Sequence, residues 1–87
     1  MTEKRVRADL REARRLYKMR KYKEVEAIKA KYADAISSLN AIEKEIVIKG
    51  IIGGLHYWQV GRRNGYAEQS IKNLARSAIQ KIAARMQ

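Results

Sequence analysis

The chain has 87 residues and carries 20 Lys and Arg against nine Asp and Glu, a formal net charge of +11 at pH 7. That length holds one small core, and so basic a balance points to a polyanionic partner, with nucleic acid first among them. Cysteine is absent, which excludes a disulfide framework and a thiolate metal site, and no apolar run approaches the roughly 18 residues of a membrane span.

The opening Met1-Thr2-Glu3-Lys4-Arg5 is polar rather than signal-like, so a cytoplasmic, nucleoid-associated protein of a bacterium, phage or mobile element is expected. Proline is absent and β-branched alternation is scarce. The expected fold class is therefore all-α: a long N-terminal helix, continuous or kinked, then a three-helix unit ending in a helix-turn-helix. Residues 1–36 read as a basic helical extension and residues 37–87 as the DNA-binding domain.

Thr2 can cap the first helix, with Glu3 in its first turn. Residues 1–23 carry ten basic side chains against three acids, a net +7. Val6, Leu10, Ala13 and Tyr17 repeat at heptad spacing. The phase slips across residues 18–24 and resumes as Val25, Ile28, Tyr32, Ala35 and Leu39, which marks a kink or a coiled-coil stutter. Unbroken, residues 3–36 would form a rod of about 50 Å. Such a rod would reach beyond the C-terminal unit toward a second copy of the chain, DNA phosphates or another protein. Arg11, Arg14, Arg15 and Lys18 are candidate phosphate contacts, adding affinity without sequence preference.

Ser37-Ser38-Leu39-Asn40 interrupts the pattern. Asn40 followed by Glu43 is a capping-box start for the next helix, with Ile42, Ile46, Val47 and Ile51 as its apolar face. Gly50, Gly53 and Gly54 loosen its end, and Gly54 stops it.

Residues 55–82 read as helix, tight turn and helix. Gly61 is small where a second helix must cross closely, Gly65 supplies a left-handed turn, and Ile71 lies on the inner face of the second helix. Val60, Tyr66 and Leu74 add apolar contacts. Ile71, Leu74, Ala78 and Ile82 form one buried stripe. Opposite it lie Gln69, Lys72, Asn73, Arg76 and Gln80. Arg suits guanine edges, and Asn or Gln suits adenine edges. Glu68, Gln69, Lys72, Asn73 and Arg76 are the candidate base readers, with Arg76 foremost. Arg62, Arg63, Ser70 and Lys81 are the candidate phosphate contacts.

This stretch resembles, without a gap, the DNA-binding region four of bacterial sigma factors and the regulators that share it. Leu55, Tyr57, Val60, Gly65, Ile71, Lys72, Leu74, Ala78, Ile79, Lys81 and Ile82 fall in matching columns. Upstream, residues 39–47 are similar to the helix that precedes the motif in that group. The sequence departs at Asn64, where leucine is usual and where Asn is expected to help shape the turn, and at Ala67, where a hydroxyl cap is usual. The resemblance covers residues 39–87 and implies a helical DNA-binding domain acting at promoters. The chain is too short to hold the polymerase-binding and promoter-melting parts of a sigma factor. In size and layout it looks more like the small phage late-gene activators of the RinA and ArpU type.

His56 has no partner at metal-ligand spacing, so no metal site is expected. Tyr57, Trp58 and Tyr66 are of a kind that stacks single-stranded bases, but beside a turn such rings more commonly fill the core; Trp58 also suits a protein contact. There is no phosphate-cradling loop, no nucleophile–base pair and no paired carboxylates, so neither an enzyme nor a cofactor is expected. The sequence reading is a duplex-DNA-binding transcription regulator, activator or repressor. RNA polymerase is a further candidate partner, as is a second copy of the chain paired through the N-terminal helix to match two half-sites. The alternatives are a protein-interaction module docking on RNA polymerase or another regulator, and a packaging or architectural protein that binds DNA without preference.

Overall fold

Thr2 opens the first helix as its composition suggests: its hydroxyl accepts the Arg5 N–H at 3.2 Å, and Glu3 lies in the first turn. In the computed structural model, which describes residues 1–87, helix α1 spans Glu3–Lys18 and α2 spans Tyr22–Ser37. The next helix, α3, begins as an α-helix, Ala41–Glu45, and runs on as a π-helical stretch, Ile46–Ile52. Helix α4 spans Tyr57–Asn64 and α5 spans Glu68–Arg85. No strand is present.

The phase slip after Tyr17 is a full reversal of direction, not a kink or a stutter. The Lys21 N–H reaches the Leu16 carbonyl at 2.9 Å, and the Arg20 N–H reaches Tyr17 at 3.0 Å. This pair of bonds closes a Schellman end on α1. Arg20 takes the left-handed position, with φ 60°, where glycine is usual. An L-residue there costs about 1–2 kcal/mol, partly offset in a glycine variant by the greater freedom of its unfolded chain. Arg20→Gly is therefore expected to raise stability by about 0.5–1 kcal/mol in urea titrations; a loss would mean that the Arg20 side chain holds the turn.

With α2 folded back on α1, the expected rod does not form, and the molecule measures 32 × 30 × 20 Å. Asp9 of α1 clamps α2 in place. Its carboxylate accepts the Tyr32 hydroxyl and the Lys31 ammonium, the latter at 3.0 Å, and Arg5 stands 3.4 Å away. Burial alone would raise the Asp9 carboxyl, but Tyr32 and Lys31 hold it below its ordinary range. Burial, then the Asp9 carboxylate, pushes the Tyr32 phenol well above its ordinary range, so it stays a proton donor.

Val6, Leu10, Ala13 and Leu16 of α1 meet Val25, Tyr32, Ala35 and Ile36 of α2, and all pack on Val47, Ile52, Ala78, Ile79, Ile82 and Ala83. Residues 1–36 are thus half of the main core rather than an extension of it. Three members of the expected heptad, Val6, Leu10 and Ala13, are fully buried within the chain, so a dimer seam along that line is not available. The fourth, Tyr17, is turned outward and meets Tyr22 edge to face, with centroids 5.7 Å apart.

The expected capping box is present. The Glu43 N–H donates to Asn40 Oδ1 at 2.9 Å, and the Asn40 N–H donates to Glu43 Oε1 at 3.2 Å. Gly54, with φ 83°, ends α3 as expected. A second, smaller cluster of Ile46, Val60, Ile71 and Ala75, bordered by Ile42, Leu55, Tyr57 and Leu74, joins α3 to α4 and α5.

Candidate nucleic-acid interface

The α4–turn–α5 unit is set by two glycines in different ways. Gly61 is buried in the middle of α4. A methyl group there would run into the Tyr66 carbonyl oxygen and press on Ile71 Cγ1 at 3.3 Å. The backbone of the turn therefore lies directly on α4, and only a residue without Cβ admits it. Gly65 supplies the left-handed step, with φ 76° and ψ 28°, and the Tyr66 N–H returns to the Gly61 carbonyl at 2.8 Å.

Asn64 does not take the left-handed geometry expected of it; it ends α4 in helical conformation. Its side-chain amide donates to the Val60 carbonyl at 2.8 Å and to the Glu45 carboxylate of α3. The Asn64 amide, followed by the charges of Arg63 and Lys49, holds the Glu45 carboxyl below its ordinary range against a smaller opposing effect of burial. A polar tie to the supporting helix thus replaces the apolar contact that a leucine would make. Ala67 heads α5 without a side-chain cap.

On α5, Gln69, Lys72, Asn73, Arg76 and Gln80 are all exposed, and at about 100° per residue they share one side of the helix. The buried side is Ile71, Ala75, Ala78, Ile79, Ile82 and Ala83, with Leu74 half-buried. Gln69 donates to Asn73 at 3.2 Å, an amide pair already arranged as one unit. Glu68 lies at the edge of this face, 3.8 Å from Lys72. Arg76 has no carboxylate within ion-pair reach and stands free at the centre.

The flanking candidates divide. Arg62 and Ser70 are exposed and unengaged, while Arg63 leans toward Glu45 at 3.7 Å. Lys81 is engaged within the chain: it bonds both Glu43 oxygens, at 2.9 and 3.1 Å. Glu43 is the one buried charged side chain of the core, 1% exposed. Burial alone would raise its carboxyl, but Lys81, the Asn40 N–H and the Ser77 hydroxyl together hold it below its ordinary range. Lys81 is therefore a brace between α5 and α3. The matching helix position in the sequence carries no sign of this, because Glu43 looked like a capping residue only.

Of the candidates on α1, Arg11, Arg15 and Lys18 are exposed, and Arg15 is occupied by Glu12 at 2.5 Å. Arg14 is half-buried. Together with Arg11 it lines a cleft with Arg7, which the sequence reading did not single out. The signal was present in the spacing 7, 11, 14, which places three arginines on one face of a helix. Tyr57 is half-buried against the smaller cluster. Tyr66 does not fill the core: its ring is exposed, and it is its carbonyl that meets Gly61. Trp58 is also exposed and stacks on His56, with centroids 6.4 Å apart and an interplanar angle of 8°. No group of His, Asp and Glu side chains gathers in a metal-binding arrangement, and no helix is long and apolar enough to cross a membrane.

No family model, no curated protein and no solved structure matches the chain.

Proposed function

We propose that this protein is a sequence-specific duplex-DNA-binding regulator of transcription, with α5 lying in the major groove. The observation that carries the reading is the outer face of α5. It presents an uncommitted Arg76 beside a preset Gln69–Asn73 pair, on a helix held by a turn too tight for any residue but glycine at position 61. Arg76 is the foremost base reader, with Gln69, Lys72 and Asn73 beside it and Glu68 at the rim. Arg62, Arg63 and Ser70 contact phosphates. Lys81 leaves that set for its role with Glu43. The likeness of residues 39–87 to sigma region four supports action at promoters, in the manner of small phage-encoded activators, with RNA polymerase as a second partner.

Arg76→Ala tests this reading. Loss of a good base contact weakens the specific site by about 1–3 kcal/mol and leaves a scrambled duplex nearly unchanged. An equal loss on both duplexes would remove Arg76 from base reading. The exposed Trp58, beside Gln59, Arg62 and Arg63 on the outer side of α4, favours a second reading, a protein contact. In that case Trp58→Ala abolishes the protein complex while DNA affinity is kept.

A further inference from the structure

The strongest feature outside the α5 face is the cleft between α1, the end of α3 and the entry to α4. It is lined by Arg7, Arg11, Arg14 and His56 together with apolar residues that include Ile51 and Ile79. Its volume is about 280 Å³. None of the three arginines has a carboxylate partner within ion-pair distance, although other cations of α1 and α2, including Arg5, Arg15, Lys29 and Lys31, do. The Arg14 Nε is buried and has no hydrogen-bond partner. It lies 3.7 Å from the point where a Cβ on Gly54 would stand.

Three guanidiniums collected on one face of α1 with no carboxylate among them repel one another. An anion in the cleft, paired with their terminal nitrogens, relieves that repulsion. Guanidinium forks match the oxygens of a phosphoryl group in pairs, and the imidazole of His56, which lines the same cleft, can add a donor. We infer that this cleft is a binding site for a phosphoryl group, held by Arg7, Arg11 and Arg14 with His56. The inference does not depend on how α5 is used. Two sources of the group share this chemistry: a phosphate of a nucleic-acid backbone and a free phosphorylated small molecule.

The test is a titration of the full chain with inorganic pyrophosphate, and separately with a short duplex. It is followed through the Nε–Hε NMR signals of the arginines and through the fluorescence of Trp58, the single tryptophan, which stacks on His56. Pyrophosphate is expected to shift the Arg7, Arg11 and Arg14 signals saturably. Arg11→Ala should weaken its binding at least tenfold, whereas Lys23→Ala, an equal loss of charge on α2, should change it less than twofold. Arg11 is exposed and Ala is favourable in a helix, so Arg11→Ala folds; Arg7→Gln serves as a second variant, and circular dichroism checks both. If the duplex shifts the same three signals, the source is backbone phosphate; if pyrophosphate alone does, the source is a small molecule. Failure of both probes to shift them, or equal weakening by Lys23→Ala, overturns the site. Arg76→Ala separates this from the DNA reading, because it affects the specific duplex and leaves pyrophosphate binding alone.

Discussion

Gly61→Ala is expected to destabilise the protein by about 2–3 kcal/mol, the upper end of the cost of overfilling a packed site. Helix propensity alone predicts the opposite sign, because Ala in a helix interior is favoured over Gly by about 1 kcal/mol. The sign reverses because the added methyl meets the Tyr66 carbonyl oxygen, which belongs to the backbone of the turn and has no rotamer to move to. Ile71, the other neighbour, anchors α5 in the smaller cluster. Relief therefore requires α5 to shift away from α4, and DNA affinity should fall with stability. Urea denaturation of the variant measures the first effect, and binding at a temperature where the variant is folded measures the second. A Gly61→Ala protein as stable as the parent would mean that α4 and α5 do not cross as closely as described.

Lys81→Met is expected to cost about 2 kcal/mol at neutral pH, within the range for a charged group left without its partner inside a protein. Lys81 itself is half-exposed and loses little. The cost arises at Glu43, which is 1% exposed and would keep only the Asn40 N–H and the Ser77 hydroxyl, the latter at 3.4 Å. In the parent, the folded Glu43 carboxyl lies below its ordinary 4.5. Its contribution is therefore whole above that value and fades as pH falls through the folded one. In the variant, burial is no longer opposed by Lys81, and the carboxyl rises. The deficit should accordingly be widest at neutral pH and narrow in acid solution, where Glu43 is neutral in both proteins. DNA affinity, measured where both proteins are folded, should be unchanged. A deficit independent of pH would point to lost packing of the lysine stem instead; weakened DNA binding would restore Lys81 as a phosphate contact.

Most of the α-helical pattern was legible because it rests on local chemistry. The Thr2 cap, the Asn40–Glu43 box and the Gly54 and Gly65 stops each follow from a side chain and its near neighbours. The apolar stripe of α5 followed from its spacing. The reversal after Lys18 was hidden because its left-handed residue is Arg20, in a stretch with no Gly, Asn or Pro to mark it. Once that turn is missed, a heptad that folds inward reads as a seam facing a partner. The role of Lys81 was hidden for a different reason: Glu43 lies 38 residues away in the chain, and no local pattern joins them. The arginine cleft has the same character, since its lining comes from α1, from the segment around His56 and from Ile79 of α5.

The uncommitted polar face of α5 gives the most direct test of the central claim, through a DNA-binding titration across a salt series. The two probes are a duplex enriched by selection from random sequence and its scrambled counterpart. A specific regulator prefers the selected duplex by about 10³ or more and keeps that preference at physiological salt, and Arg76→Ala removes much of it. Equal binding to both probes that collapses as salt rises would mean that the positive charge alone holds the DNA, and would contradict base reading by α5.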